Sequence, residues 1–105
     1  MATHRLQTLK QMLAQDPGNS FARYGLAIEL AKSGDLENAI AEFQALLAHD
    51  ENYAAAYFHA GQALEKSGDL EQARAMYEKG IEVTTRKGDL HTRAEIEAAL
   101  NMLPV

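Results

Sequence analysis

From residue 21 onward the apolar residues recur at the spacing of helices rather than strands. Ala22, Leu26, Ala27 and Leu30 share one face of a segment spanning 21–32, and Ala56, Ala60, Gly61 and Leu64 share the matching face of a later one. These are small or medium residues that allow close helix approach. After Gly34-Asp35 and again after Gly68-Asp69 a further apolar stripe begins: Leu36, Ala39, Ile40, Phe43, Leu46 and Leu47, then Leu70, Ala73, Tyr77, Gly80 and Ile81. Gly accepts the left-handed conformation that ends a helix, and an Asp after it caps the next one. The pattern therefore predicts helix, turn, helix, written twice, and Asp69 with Gln72 has capping-box spacing at the second turn.

The two copies are related letter by letter. Lys-Ser-Gly-Asp-Leu-Glu occupies 32–37 and recurs at 66–71, a period of 34 (66 minus 32), and the match extends to Asp16 and Asp50, Ala22 and Ala56, Leu30 and Leu64, Ala39 and Ala73. A period of this length marks a stacked array of helix pairs. Before the first copy, Leu6, Leu9, Met12 and Leu13 lead up to Asp16-Pro17 as a second helix of a preceding unit would. After Gly88-Asp89 a last helix carries two stripes, one of Leu90, Ala94 and Ala98 and one of Ile96, Ala99, Leu100 and Leu103.

Composition narrows the class. The chain has 105 residues, enough for one small domain, with 47% hydrophobic and 24% charged residues and only two prolines, which favours helix throughout. A formal charge of −5, with no patch joining several Lys or Arg to stacking aromatics, argues against nucleic acid. There is no cysteine, so thiolate chemistry is excluded. No apolar run is long enough for a membrane span and the first residues lack a signal-peptide core, so a cytoplasmic location without membrane insertion is the expectation. His4, His49, His59 and His91 are scattered; only His91 and Glu95 have the spacing that puts two ligands on one helical face, short of the three or four that zinc takes. No serine elbow or phosphate-binding glycine loop is present. The expectation is a protein that is not an enzyme and carries neither metal nor cofactor.

The sequence resembles the tetratricopeptide repeat family. Its pattern is met in the second unit by Tyr57, Ala60, Gly61, Leu64, Gly68, Asp69, Ala73, Tyr77 and Gly80, and in the first by Leu26, Ala27, Leu30, Gly34, Asp35, Ala39, Phe43, Leu46 and Asp50. Departures are Arg23 where an aromatic is usual, Leu46 at a small position, and Asp50-Glu51 in place of Asp-Pro. The resemblance implies an all-α, right-handed helix-turn-helix solenoid: an N-terminal half-repeat helix at about 2–15, full units at 20–53 and 54–87, and a capping helix at 88–103.

It further implies a concave face, built from the first helix of each unit, that binds a peptide or helix of a partner protein. On this chain that face would present Phe21, Tyr24, Ile28 and Lys32, then Phe58, His59, Gln62, Glu65 and Lys66. Phe21, Tyr24 and Ile28 indeed lie off the stripe of Leu26 and Leu30. The same aromatics could instead pack on the N-terminal helix, and the two lysines could simply complement helix ends. The Lys and Asn set with which some members of the family hold a terminal carboxylate is missing, since Tyr24, Ile28 and His59 stand there. An interaction module with this groove is the leading reading. The alternative is a structural protein that forms a homo-oligomer through Ile96, Leu100 and Leu103 of the last helix.

Overall fold

The computed structural model describes residues 2–104, with side chains from residue 4 onward, and it is helical from end to end. Six helices follow in order: α1 (Ala2–Gln15), α2 (Ser20–Lys32), α3 (Leu36–His49), α4 (Ala54–Lys66), α5 (Leu70–Lys87) and α6 (Leu90–Asn101).

The repeated hexapeptide is a complete helix-turn-helix instruction. Ser33 closes α2 and its hydroxyl donates back to the Leu30 carbonyl at 2.8 Å; Ser67 does the same to Leu64 at 2.8 Å. Gly34 and Gly68 then adopt φ of 88° and 89°, where a side chain is strained, and no residue other than glycine has positive φ among those described. Asp35 N–H returns to the Leu30 carbonyl and Gly34 N–H to Ala31, the paired bonds of a Schellman turn, with the same pairs at Asp69 and Gly68. The carboxylates of Asp35 and Asp69 finally accept from the N–H groups of Asn38 and Gln72 at 3.3 and 3.1 Å, opening α3 and α5. The Gln72 side-chain amide also donates to Asp69, rather than reaching the Asp69 backbone as a capping box would.

Each helix packs on the next, and α4 also touches both α2 and α6, whereas among the described residues α1, α3 and α5 do not touch one another. The stack is therefore curved, with α2, α4 and α6 on the inner side. Two linked cores fill it. Around Phe43 gather Leu9, Leu26, Leu30 and Leu46; around Tyr77 gather Tyr57, Leu64, Val83, Ile96 and Leu103. Gly61 lets the Tyr77 ring lie directly on the α4 backbone, and Gly80 admits Tyr57 and Ile96 in the same way.

The departures from the family pattern have local solutions. Arg23 stands where the second unit has Tyr57. The Tyr57 hydroxyl donates to the Glu51 carbonyl at 2.7 Å, and the Arg23 guanidinium donates to the Pro17 carbonyl at 3.3 Å, the same position one repeat earlier. Arg23 also pairs with Glu42 at 2.6 Å, so a polar side chain does the bridging that a phenol does elsewhere.

The last helix corrects one expectation. Ile96 is fully buried and Leu103 is 7% exposed, both inside the second core, with Leu100 half-buried against it. They cannot form an outward oligomer face. It is Leu90 and Met102, 70% and 83% exposed, together with Ala94 and Ala98, that face away from the stack. The reason is a change of period. The residues preceding α2, α4 and α6 are Asn19, Tyr53 and Asp89, so the step grows from 34 to 36: α5 has 18 residues where α3 has 14, four more, while the connection after it (88–89) is two shorter than the one after α3 (50–53). Two extra residues turn a helix by about 200°, enough to exchange its inner and outer stripes.

Candidate functional site

The inner surface is built where α2 and α4 approach each other without interdigitating. Between them runs a groove of about 180 Å³ lined by Ile28, Ala31 and Lys32 of α2, Phe43 from beneath, and His59, Gln62, Ala63 and Lys66 of α4. Its floor is apolar: Ala31 and Ala63 are small, and the Phe43 ring, itself without exposed surface, lies beneath them. Its volume lies below the roughly 300–1,000 Å³ of pockets that enclose small molecules, and matches one or two side chains.

Along the N-terminal side of the groove lies a row of rings. Tyr24 sits 5.1 Å from Tyr53, 5.8 Å from His59 and 6.5 Å from Phe43, and Phe58 meets His59 edge-on at 5.2 Å, all between ring centroids. Such offset and edge contacts hold the rings in place as a preformed surface. Burial pushes the Tyr24 and Tyr53 hydroxyls up from their ordinary values, with the neighbouring phenol and Glu95 adding to it at Tyr24 and Asp50 at Tyr53. Burial also lowers the His59 pKa, opposed by the Glu95 carboxylate, so the neutral imidazole is favoured on this face.

Of the residues expected here, Ile28, Lys32, His59, Gln62 and Lys66 line the groove together, and Tyr24 and Phe58 border it. Phe58 also leans on the second core. Neither Phe21 nor Glu65 joins the lining. Phe21 is 68% exposed near the start of α2, and the Glu65 carboxylate accepts a short hydrogen bond from the Tyr77 hydroxyl, which together with burial drives that phenol far above its usual range. Tyr24 packs toward α3 and the start of α4, through Phe43, Tyr53 and His59.

Tyr53, Phe43 and Glu95 were missed by sequence reasoning. A signal existed for Tyr53. It occupies the place of Asn19, whose side chain caps α2 by accepting from Ala22 N–H at 3.0 Å, while α4 has no side-chain cap. An aromatic that forgoes a cap worth about 1 kcal/mol points to another contact, here the Tyr24 ring.

A second, more open groove of about 460 Å³ lies on the outer side between α3 and α5, lined by Leu47, Ala48, Tyr57, Ala75 and Met76 with Gln44, Glu51, Gln72 and Lys79 at its rim. It is the gap left by two outer helices that curvature holds apart. Its one aromatic hydroxyl is already spent on the Glu51 carbonyl. Elsewhere, His91 meets Glu95 at 3.7 Å on an exposed face, and no group of three or more metal-ligating side chains occurs among the described residues. No helix among them is long and apolar enough to cross a membrane.

Comparison with known proteins agrees with this architecture. No curated protein matches the chain. The solution structure of a tetratricopeptide repeat domain protein from Salinibacter ruber is 33% identical, over 81% of this chain and 86% of that one, with a TM-score of 0.76. A protein from Bordetella parapertussis is 28% identical, over 93% and 85%, with a TM-score of 0.82. PcrH, solved in complex with the chaperone binding region of PopD, shares the fold at 18% identity, over 93% and 74%, with a TM-score of 0.87. The family model described as tetratricopeptide repeat matches residues 30–91, more than half of the chain. On the repeat, the fold and this match, the chain belongs to the tetratricopeptide repeat family.

Proposed function

We propose that this chain is a non-catalytic interaction module that seats a segment of a partner protein in the groove between α2 and α4. The observation that carries the reading is the apolar depression between α2 and α4, walled by the half-buried Ile28 and Ala31 with Phe43 sealed beneath, beside the preformed row of Tyr53, Tyr24, His59 and Phe58. Rigid aromatics at the edge of a small apolar depression are the usual anchors of protein recognition. The groove is sized for side chains, so the ligand is a segment that inserts one or two of them, as in helix-in-groove recognition. That PcrH is solved with a region of another protein shows a stack of this shape with such a partner, and supports the reading by likeness of fold.

A second reading, self-association, is favoured by the exposed Leu90 at the start of α6 and Met102 just past its end. One pair of variants separates the two. Gln62→Trp fills the groove while leaving both cores intact, and should weaken capture of a groove-selected peptide at least tenfold, about 1.4 kcal/mol, without lowering thermal stability. Leu90→Glu with Met102→Glu should leave that binding unchanged. The opposite result, measured by peptide titration and solution mass together, would move the interaction surface to α6.

A further inference from the structure

We propose that the end of this groove formed by Lys32 and Lys66 recognises an acidic side chain of the partner segment, adjacent to a bulky apolar residue that enters the groove. The inference rests on the groove reading above and names the chemistry of its ligand. Both lysines belong to the last turns of their helices, one repeat apart, and both line the same depression.

The carboxylates that precede them on their own helices, Glu29 and Glu65, are both engaged. Glu29 is buried and held by Arg5 Nε at 2.8 Å, leaving the Lys32 ammonium 4.0 Å away and largely in solvent. Glu65, which the sequence places on the same lip, is drawn off by the Tyr77 hydroxyl. Lys66 is exposed and has no carboxylate within salt-bridge distance among the described residues. The groove lining thus holds two lysines and no carboxylate, on a chain whose formal charge is −5.

A helix dipole alone would account for a cation at any C-terminal turn. It does not account for two of them converging on one apolar groove while the acids are withdrawn. Toward the aromatic end, where Tyr24 and Phe58 meet His59, no lysine lines the groove. An acidic residue of the ligand is attracted at the lysine end alone, and that end fixes the direction in which the segment lies.

The test is a display selection of random peptides tethered through their C-termini, so that no terminal carboxylate is available. Against the unaltered chain, enriched peptides should place Asp or Glu beside Leu, Ile or Phe. Against Lys32→Glu with Lys66→Glu they should place Lys or Arg there instead. A synthetic peptide from the first selection should lose about tenfold in affinity on the charge-reversed variant, less on Lys32→Gln with Lys66→Gln, and should weaken as salt is raised. Both lysines are exposed, so both variants should keep the parent's circular dichroism.

Peptides enriched without an acid, or unaffected by the reversal, overturn the proposal while leaving the groove in place. Binding that appears only with a free C-terminus overturns it as well. No enrichment at all, or enrichment that survives Gln62→Trp, removes the groove reading and this inference with it.

Discussion

Replacing Gly61 with leucine should lower the unfolding free energy by about 3 kcal/mol, near the top of the range for overpacking a filled core. A single Cβ at this position would lie 2.1 Å from Cε1 of Tyr77 and 2.6 Å or less from two further ring atoms. The ring cannot swing aside, being fully buried and held at its far end by Glu65. Either α4 and α5 separate or the ring leaves the core. For a domain of this size each kcal/mol moves the melting temperature by about 4–8 °C, so calorimetry or thermal circular dichroism reads the loss directly. Tyr77→Leu added to Gly61→Leu should recover part of it by making room. Gly18→Ala is the control, since its nearest contact would be an ordinary 3.7 Å from His49. An unchanged midpoint for Gly61→Leu would mean that α4 and α5 do not pair as described.

The second large effect is expected at Leu9. Truncation to alanine should cost about 2–4 kcal/mol, the span for a leucine removed from a core that only partly collapses. Among the described side chains of α1 Leu9 is the buried one, occupying the place that Phe43 and Tyr77 fill in later repeats, and it packs against the α2 backbone at Gly25, with Leu6 and Leu13 beside it. Met12→Ala is the comparison. It lies at the margin of the buried stripe, about 60° around the helix from Leu9, and is 38% exposed where its repeat equivalent Leu46 is 1% exposed, so its loss should be well under half as large. Equal, small losses at both positions in denaturant titrations would make α1 an appendage rather than part of the core.

Most of the architecture was legible because each helix obeys two independent instructions that agree. The hexapeptide supplies Ser, Gly and Asp for three successive jobs at a turn, and the 34-residue period then tells which face is inward. Core residues such as Ala39, Phe43, Ala73 and Tyr77 follow from that alone, each with no exposed surface. The period also misleads where it changes. With a step of 34 carried forward, Leu90 and Ala94 align with the buried Ala56 and Ala60, and Ile96 aligns with Gln62 on the groove. The longer α5 advances α6 by two residues and reverses this, and nothing in the apolar pattern of α5 marks where the extra turn is absorbed.

The site was legible in part for a similar reason. Residues placed by repeat position, Ile28, Lys32, His59, Gln62 and Lys66, converge on one groove. Those whose role depends on a rotamer or a partner in another element do not yield to spacing. Glu65 turns toward a tyrosine twelve residues later, Tyr53 leaves its capping position for a ring, and Glu95 acts across from α6.

The groove itself is tested most directly by amide chemical-shift mapping of the ¹⁵N-labelled chain, titrated with a peptide from the display selection. The account predicts that the largest shifts fall on Tyr24, Ile28, Ala31, His59, Gln62 and Ala63, with little change at Leu47, Met76, Leu90 or Met102. Shifts concentrated at Leu47 and Met76, on the outer groove, or at Leu90 and Met102, on the last helix, would contradict it.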